Sequence, residues 1–169
     1  MGFFRNPLVI HHRVAANNIK EYILSVDVTD MEKGMARLLE VEVRDFVFER
    51  NCLRFGLANQ TLNYYADTVQ RDEIAAARGF FGRIMRSYLD ELEVMNGTKA
   101  SRQMCDAPDI YQVTENPPTP AIAARFVANL TDGRLGPQDL DGLPQLLMLL
   151  DAYVKTAIDF VKNCICELK

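Results

Sequence analysis

Two pairs of carboxylates are the first candidates for chemistry in this chain. Glu42 lies three residues before Asp45, and Asp90 lies three residues before Glu93. Residues three apart share one face of an α-helix, and two such faces opposite each other could hold Mg²⁺ through oxygen ligands. Each pair also fits the solvated side of an ordinary amphipathic helix, which is the interpretation we favour. A Mg²⁺-dependent phosphohydrolase is therefore only the third hypothesis for function.

Histidine and cysteine offer little support for catalysis or metal binding. His11 and His12 are the only histidines, and adjacent residues on a helix point about 100° apart, so they do not readily chelate one ion. None of the 4 cysteines forms a C-x-x-C pair, which argues against zinc. The sequence predicts no catalytic residue, no metal and no cofactor, and it favours a binding protein over an enzyme.

The segment 79–86 is the main candidate for ligand binding. Gly79 and Gly82 each cost a helix about 1 kcal/mol relative to alanine, so a geometric reason for them is expected. Either another helix packs closely there, or a flat ligand lies against Phe80. Arginines follow in the first half of the same predicted helix, where positive charge opposes the helix dipole. They indicate an anionic ligand or carboxylates on a neighbouring helix.

The pocket hypothesis combines this segment with Tyr88 and the segment 104–113. An anionic, partly aromatic small molecule would suit its arginines and aromatic rings. The predicted ligand-binding residues are Gly79, Phe80, Gly82, Arg83, Arg86 and Tyr111.

The C-terminal segment carries the clearest structural pattern. Apolar residues repeat at alternating intervals of four and three, at Leu143, Leu147, Leu150, Val154, Ala157, Val161, Cys164 and Leu168. This spacing gives an α-helix one apolar side that must pack against other helices, either at the centre of the protein or at a dimer seam. A second apolar line widens this side, so most of the helix should be buried within its own domain, with some surface left for a partner. The predicted partner-binding residues are Val161, Ile165 and Leu168.

Helical spacing also extends through most of the preceding chain. A helix is predicted over 7–26, starting at Pro7, and another over 30–55, starting where Thr29 and Glu32 form a capping box. An alternation of apolar and charged residues leaves a β-hairpin within 39–57 as the alternative.

Further along the chain, a helical pattern covers 59–95 with an expected bend near Asp72, because one straight helix of that length is long for this domain size. The segment 97–118 is predicted to be a long irregular loop, which is uncommon unless it is functional or flexible. A short helix then runs to about Leu130, and the last helix starts near Pro144.

Composition limits the class of protein. The chain has 169 residues, 49% of them hydrophobic and 25% charged, which suits one domain, 1–169, with its own core. Its net charge of −4 argues against a nucleic-acid partner, and no apolar run is long enough for a membrane span. Reduced cysteines and the absence of a secretory signal favour the cytoplasm.

The predicted fold is therefore mostly α, a single-domain bundle of four to six helices, with an α+β fold as the alternative. The first hypothesis for function is a non-enzymatic module that binds a protein partner or forms a homo-oligomer through apolar helix surfaces. The alternative is a small-molecule-binding protein or enzyme that uses the pocket described above.

Overall fold

The computed structural model describes residues 11–112 and 119–168, and in these ranges the chain is helical with no β-strand. The helices are α1 (His12–Ile23), α2 (Asp30–Leu38), α3 (Val43–Val69), α4 (Asp72–Asn96), α5 (Thr98–Ile110), α6 (Thr119–Leu130), a 3-10 helix (Pro137–Gly142) and α7 (Pro144–Cys166). No helix in the described ranges has the length and apolar character needed to cross a membrane.

The mostly-α prediction is confirmed for the described residues, and so is the bend near Asp72. The chain leaves α3 through Gln70, whose φ of 51° is left-handed and ends the helix before α4 begins. The capping box at the start of α2 is also present. There Glu32 accepts from the Thr29 N–H at 2.7 Å, and the Thr29 hydroxyl accepts from the Glu32 N–H at 3.2 Å.

The single helix predicted over 30–55 is wrong, and so is the alternative of a hairpin within 39–57. This part of the chain forms α2, a short turn and the first half of α3. The number of helices is also higher than the four to six predicted, since the described residues form seven α-helices and one 3-10 helix. The predicted start at Pro7 lies outside the described residues.

The turn between α2 and α3 shows why its position was missed. Glu40 has a φ of 55°, and the Val41 N–H donates to the Ala36 carbonyl at 3.0 Å, as in a Schellman motif. Arg134 donates to the Glu40 carboxylate at 2.9 Å and so holds the turn from outside. Glycine usually fills this left-handed position, and a glutamate there gives no sign in the sequence that a helix ends.

The predicted loop 97–118 is also largely wrong, because residues 98–110 form α5. Pro108 lies in the last turn of that helix. The buried side of α5 carries Met104, Ala107 and Tyr111, which are spaced by three and four residues. This amphipathic pattern is short and is interrupted by Pro108 and polar residues, so the sequence did not indicate a helix here. Residues 113–118 lie outside the described ranges.

Helix α3 is the centre of the packing, and it contacts all six other α-helices. Buried residues occur on every side of it, from Phe46 to Ala66. The prediction placed α7 at the centre or at a seam instead. Helix α7 does bury its apolar side, including Leu150, Val154 and Ala157. It does so by packing against α3, α1 and α6 and is not itself the central helix.

Arg50, in α3, is buried to 1% exposure and joins three parts of the chain. Its guanidinium donates to the carbonyls of Ser25 and Asp27 and to the Glu32 carboxylate at 2.7 Å. The Tyr153 hydroxyl of α7 donates to the same carboxylate. Burial raises the pKa of Glu32, but the hydrogen bonds from Tyr153, Thr29 and Arg50 outweigh it and keep that pKa below its usual value.

Gly56 marks the closest approach of two helices. A Cβ on Gly56 would lie 2.7 Å from the Ala107 carbonyl oxygen of α5 and 3.1 Å from the Tyr111 Cβ. Both distances are shorter than ordinary van der Waals contact, and the nearer atom belongs to the backbone. Any larger residue at position 56 therefore has to push α5 away from α3.

We expect Gly56→Ala to lower the free energy of unfolding by about 1–3 kcal/mol, because the strain of the added methyl exceeds the gain in helix propensity. Urea denaturation monitored by circular dichroism measures the change.

Gly34→Ala is the matched control. A Cβ on Gly34 meets nothing within 4 Å, and the residue lies inside α2, so stability should rise by about 0.5–1 kcal/mol. Equal effects of the two substitutions would show that α3 and α5 do not pack as described.

Candidate functional site

Glu49 precedes Arg50 in α3, points to different neighbouring helices, and is 1% exposed. Its Oε1 accepts hydrogen bonds from the Tyr111 hydroxyl and, at 3.1 Å, from the Asn129 Nδ2. Its Oε2 accepts from the Gln103 Nε2. Helices α5 and α6 thus supply three neutral donors to one carboxylate of α3. We call these four residues the Glu49 cluster.

No described residue forms an ion pair with Glu49. Burial raises the pKa of Glu49 above its usual value, and the hydrogen bonds from Tyr111, Asn129 and Gln103 lower it only in part. Neutral donors satisfy the oxygens but do not cancel the negative charge. The ionised carboxylate is therefore held at a cost in free energy that a nearby cation would reduce.

Tyr111 keeps its proton in this arrangement. Burial and the negative charge of Glu49 raise the pKa of the Tyr111 hydroxyl well above its usual value, so it acts as a donor. Two contacts hold Tyr111 in place. Gly56 admits α5 close to α3, and the Gln60 Nε2 donates to the Tyr111 carbonyl at 2.8 Å.

Two clefts reach the Glu49 cluster. The first, of about 620 Å³, includes Glu49 itself in its lining, and the second has about 670 Å³. Gln103, Asn129, Lys99 and Asp132 line both. The Lys99 Nζ lies 3.8 Å from an Asp132 carboxylate oxygen, so this exposed ion pair is common to the two clefts. Apolar residues of the lining include Phe48, Tyr88, Leu92, Ile110, Ala128 and Leu130.

The cluster keeps acceptor capacity that the described residues do not use. A carboxylate has about four lone-pair positions, and three hydrogen bonds occupy three of those on Glu49, which leaves one on Oε2. The amide oxygens of Gln103 and Asn129 accept no hydrogen bond from a described residue. The floor of the clefts is thus rich in acceptors, and it suits a ligand that brings donors.

The structure divides the predicted ligand-binding residues between two places. Tyr111 belongs to the Glu49 cluster, and Tyr88 lines the first cleft. The other predicted residues line neither cleft and lie on α4, where all are exposed except the half-buried Phe80. They are Gly79, Phe80, Gly82, Arg83 and Arg86. Neither cleft therefore joins these residues to Tyr111, as the single pocket proposed from the sequence requires.

The predicted partner-binding residues lie inside the protein. Val161 is 0%, Ile165 3% and Leu168 1% exposed. Arg71 donates to the Leu168 carbonyl at 2.6 Å and fixes the end of the chain against the start of α4. This part of α7 faces its own core, which removes the three side chains from any surface that a partner could contact in this structure.

The carboxylate pairs do not form a metal site. No group of three or more potential ligands occurs in the parts of the chain that the structure describes. Glu93 instead accepts from the Thr98 hydroxyl at 3.0 Å, where α4 passes into α5. The two histidines lie side by side, and the His11 Nδ1 accepts from the Arg13 N–H at 3.3 Å, which caps α1.

Three of the four residues of the Glu49 cluster, all but Tyr111, were not predicted as site residues from the sequence. Glu49 lies in a helix that is buried on all sides, so no amphipathic pattern marks its position as unusual. Gln103 lies in the segment expected to be a loop, and Asn129 lies near the end of the short helix predicted to run to about Leu130, where no pattern marks a site. The site is formed by hydrogen bonds between distant parts of the chain: Gln103 is 54 positions and Asn129 is 80 positions from Glu49.

Comparison of the chain with protein-family models, with curated proteins and with solved structures gave no match.

We expect Glu49→Gln to change the pH dependence of stability. The pKa of Glu49 is raised from a usual value of 4.5, so above that pH the folded protein holds a proton that the unfolded chain has released. Stability then falls as pH rises from 4.5 through the raised pKa, and this contribution is absent in the variant. The free energy of unfolding of the wild type minus that of the variant should decrease over this window, measured by urea denaturation.

Glu91→Gln removes an exposed carboxylate of α4 and serves as the control for the loss of one negative charge. If the stability difference between wild type and Glu49→Gln did not change over this pH window, or changed only as it does for the control, the account of the buried carboxylate would be wrong.

Proposed function

We propose that the protein binds a small molecule in the clefts at the Glu49 cluster, and that this ligand carries a positively charged hydrogen-bond donor such as an ammonium group. The observation that carries the proposal is a buried carboxylate in the lining of a cleft, with three neutral donors and no ion pair to a described residue. A ligand ammonium would supply the missing charge and use the remaining acceptor positions.

The charges of the clefts support a cationic ligand. The charged residues in their lining are Arg44, Asp45, Glu49, Lys99, Arg102, Asp106 and Asp132. Two exposed ion pairs join four of them, at 3.4 and 3.8 Å. The remainder comprises two carboxylates, Glu49 and Asp106, and one guanidinium, Arg102. The lining therefore carries more negative than positive charge, and its buried carboxylate, Glu49, lies at the floor.

The size of the clefts supports a small ligand. Their volumes of about 620 and 670 Å³ fall within the range of about 300–1,000 Å³ usual for small-molecule sites. The apolar side chains of Phe48, Tyr88 and Leu92 give one wall a surface for a hydrocarbon portion of the ligand. An amine with an apolar chain matches both the floor and the wall.

Titration with n-butylamine tests the proposal. We expect saturable shifts of the side-chain amide resonances of Gln103 and Asn129 in NMR spectra of the wild type. Neutral n-butanol and anionic butyrate should produce much smaller shifts, because neither brings a cation to Glu49. Glu49→Gln should weaken butylamine binding by about 10–100-fold, the value of one hydrogen bond to a charged group.

Asp159→Asn, on the exposed side of α7, is the control and should bind butylamine as the wild type does. The proposal fails if butanol binds as well as butylamine, or if Glu49→Gln retains full affinity while its spectrum remains that of a folded protein.

A second candidate function is protein binding or self-association through α2. Met31 and Leu38 are 56% and 53% exposed, and residues seven apart lie on the same side of a helix. Gly34 lies between them, and nothing approaches its Cβ position within 4 Å. This short apolar strip is the feature that favours the binding-module hypothesis, in place of the buried residues of α7.

If α2 mediates self-association, the wild type should form dimers at high concentration in size-exclusion chromatography with light scattering, and Leu38→Asp should be monomeric. Val94→Asp changes another exposed apolar residue, in α4, and should leave the dimer intact. A wild type that stays monomeric throughout would remove self-association.

A further inference from the structure

Two guanidinium groups lie over one aromatic ring on the surface formed by α1 and α4. The Arg13 Cζ is 5.6 Å and the Arg83 Cζ is 5.5 Å from the centre of the Phe80 ring. The half-buried ring stabilises each guanidinium by a cation–π interaction and so restricts its position. We call the surface around these three residues the Phe80 patch.

No negative charge balances the Phe80 patch among the described residues. Neither Arg13 nor Arg83 forms an ion pair there. Aspartate and glutamate are also absent from 79–87 on α4 and from 11–17 on α1, the positions within one helical turn. Arg86, one turn from Arg83, adds another exposed positive charge. A chain of net charge −4 thus gathers unbalanced cations on one surface.

The two glycines of α4 leave open space beside these cations. A Cβ on Gly82 would meet no described atom within 4 Å, so none of the described helices packs there. A Cβ on Gly79 would meet only the Arg83 Nη1 among the described atoms, at 3.9 Å, because the Arg83 side chain extends back over Gly79. The close helix packing considered from the sequence is therefore not formed by the described helices, which leave the helix surface beside Arg83 open to a ligand.

The pKa of His12 is affected by the positive charges of the Phe80 patch. Its ring packs edge-on against Phe80, with the centroids 6.5 Å apart. Burial and the positive charges of His11, Arg13 and Arg83 lower the pKa of His12 below its usual value. The surface repels added positive charge, as expected of a site for an anion.

We propose that the Phe80 patch binds a phosphate group of a small molecule, at a site separate from the clefts at the Glu49 cluster. Each guanidinium presents planar N–H donors that match phosphate oxygens, and both guanidinium groups already lie within 5.6 Å of the Phe80 ring centre before a ligand arrives. Arg86 and His12 lie at its border. This assigns Arg13 and Arg83 to ligand binding and gives a role to the two glycines.

Titration with inorganic phosphate at constant ionic strength tests the site. The backbone amide resonances of Gly79 and Gly82 in NMR spectra of the wild type should shift and saturate. Arg83→Gln should weaken phosphate binding by about tenfold, as expected for the loss of a charged hydrogen-bond donor. Adenosine monophosphate in a parallel titration distinguishes the source: tighter binding than phosphate indicates a phosphate attached to a planar group, and equal binding indicates recognition of phosphate alone.

Arg78→Gln is the matched control, since Arg78 lies on the same helix but pairs with Asp67 at 2.9 Å. It should bind phosphate as the wild type does. Shifts that grow without saturation, or an equal loss in Arg78→Gln and Arg83→Gln, would overturn the site. Arg83 is exposed, so its replacement should leave the spectrum of the folded protein otherwise unchanged. Butylamine binding in the clefts should persist in Arg83→Gln, which separates the two proposals.

Discussion

Two consecutive charged residues of α3, Glu49 and Arg50, are both buried, and the arrangement of the other helices depends on them. Successive residues on a helix point about 100° apart, so the two side chains reach different neighbours. Arg50 binds the segment before α2 and, through Glu32, the Tyr153 hydroxyl of α7. Glu49 binds α5 and α6. A rotation or shift of α3 would break both sets of hydrogen bonds at once.

The two buried charges differ in how they are compensated. Arg50 has a carboxylate partner and two backbone carbonyls, so its charge and its donors are both satisfied within the chain. Removing either member of such a pair is costly, and this indicates a structural role. Glu49 has hydrogen bonds but no ion pair with a described residue, and it lies in the lining of a cleft. That difference is the physical reason why we give Arg50 a structural role and propose a ligand at Glu49.

The sequence predicted the helices well where an apolar side faces the core, as in α4 and α7, or where a cap is explicit, as at Thr29. It failed at Glu40, where a non-glycine residue ends a helix, and at α5, whose pattern is short and contains Pro108. The partner-binding surface was predicted at residues of α7 that are in fact buried. Periodicity shows that one side of a helix is apolar, but it does not show which part of the protein covers that side. The Glu49 cluster depends on contacts between distant segments, which periodicity does not contain.

The ion pair between Lys99 and Asp132 forms part of the lining that the two clefts share. Both side chains are almost fully exposed, and the 3.8 Å contact between them is the polar bridge common to the two clefts. Such pairs contribute little free energy and weaken as salt increases. This part of the shared lining is therefore sensitive to ionic strength, whereas Gln103 and Asn129, which also line both clefts, are held by hydrogen bonds to the buried Glu49.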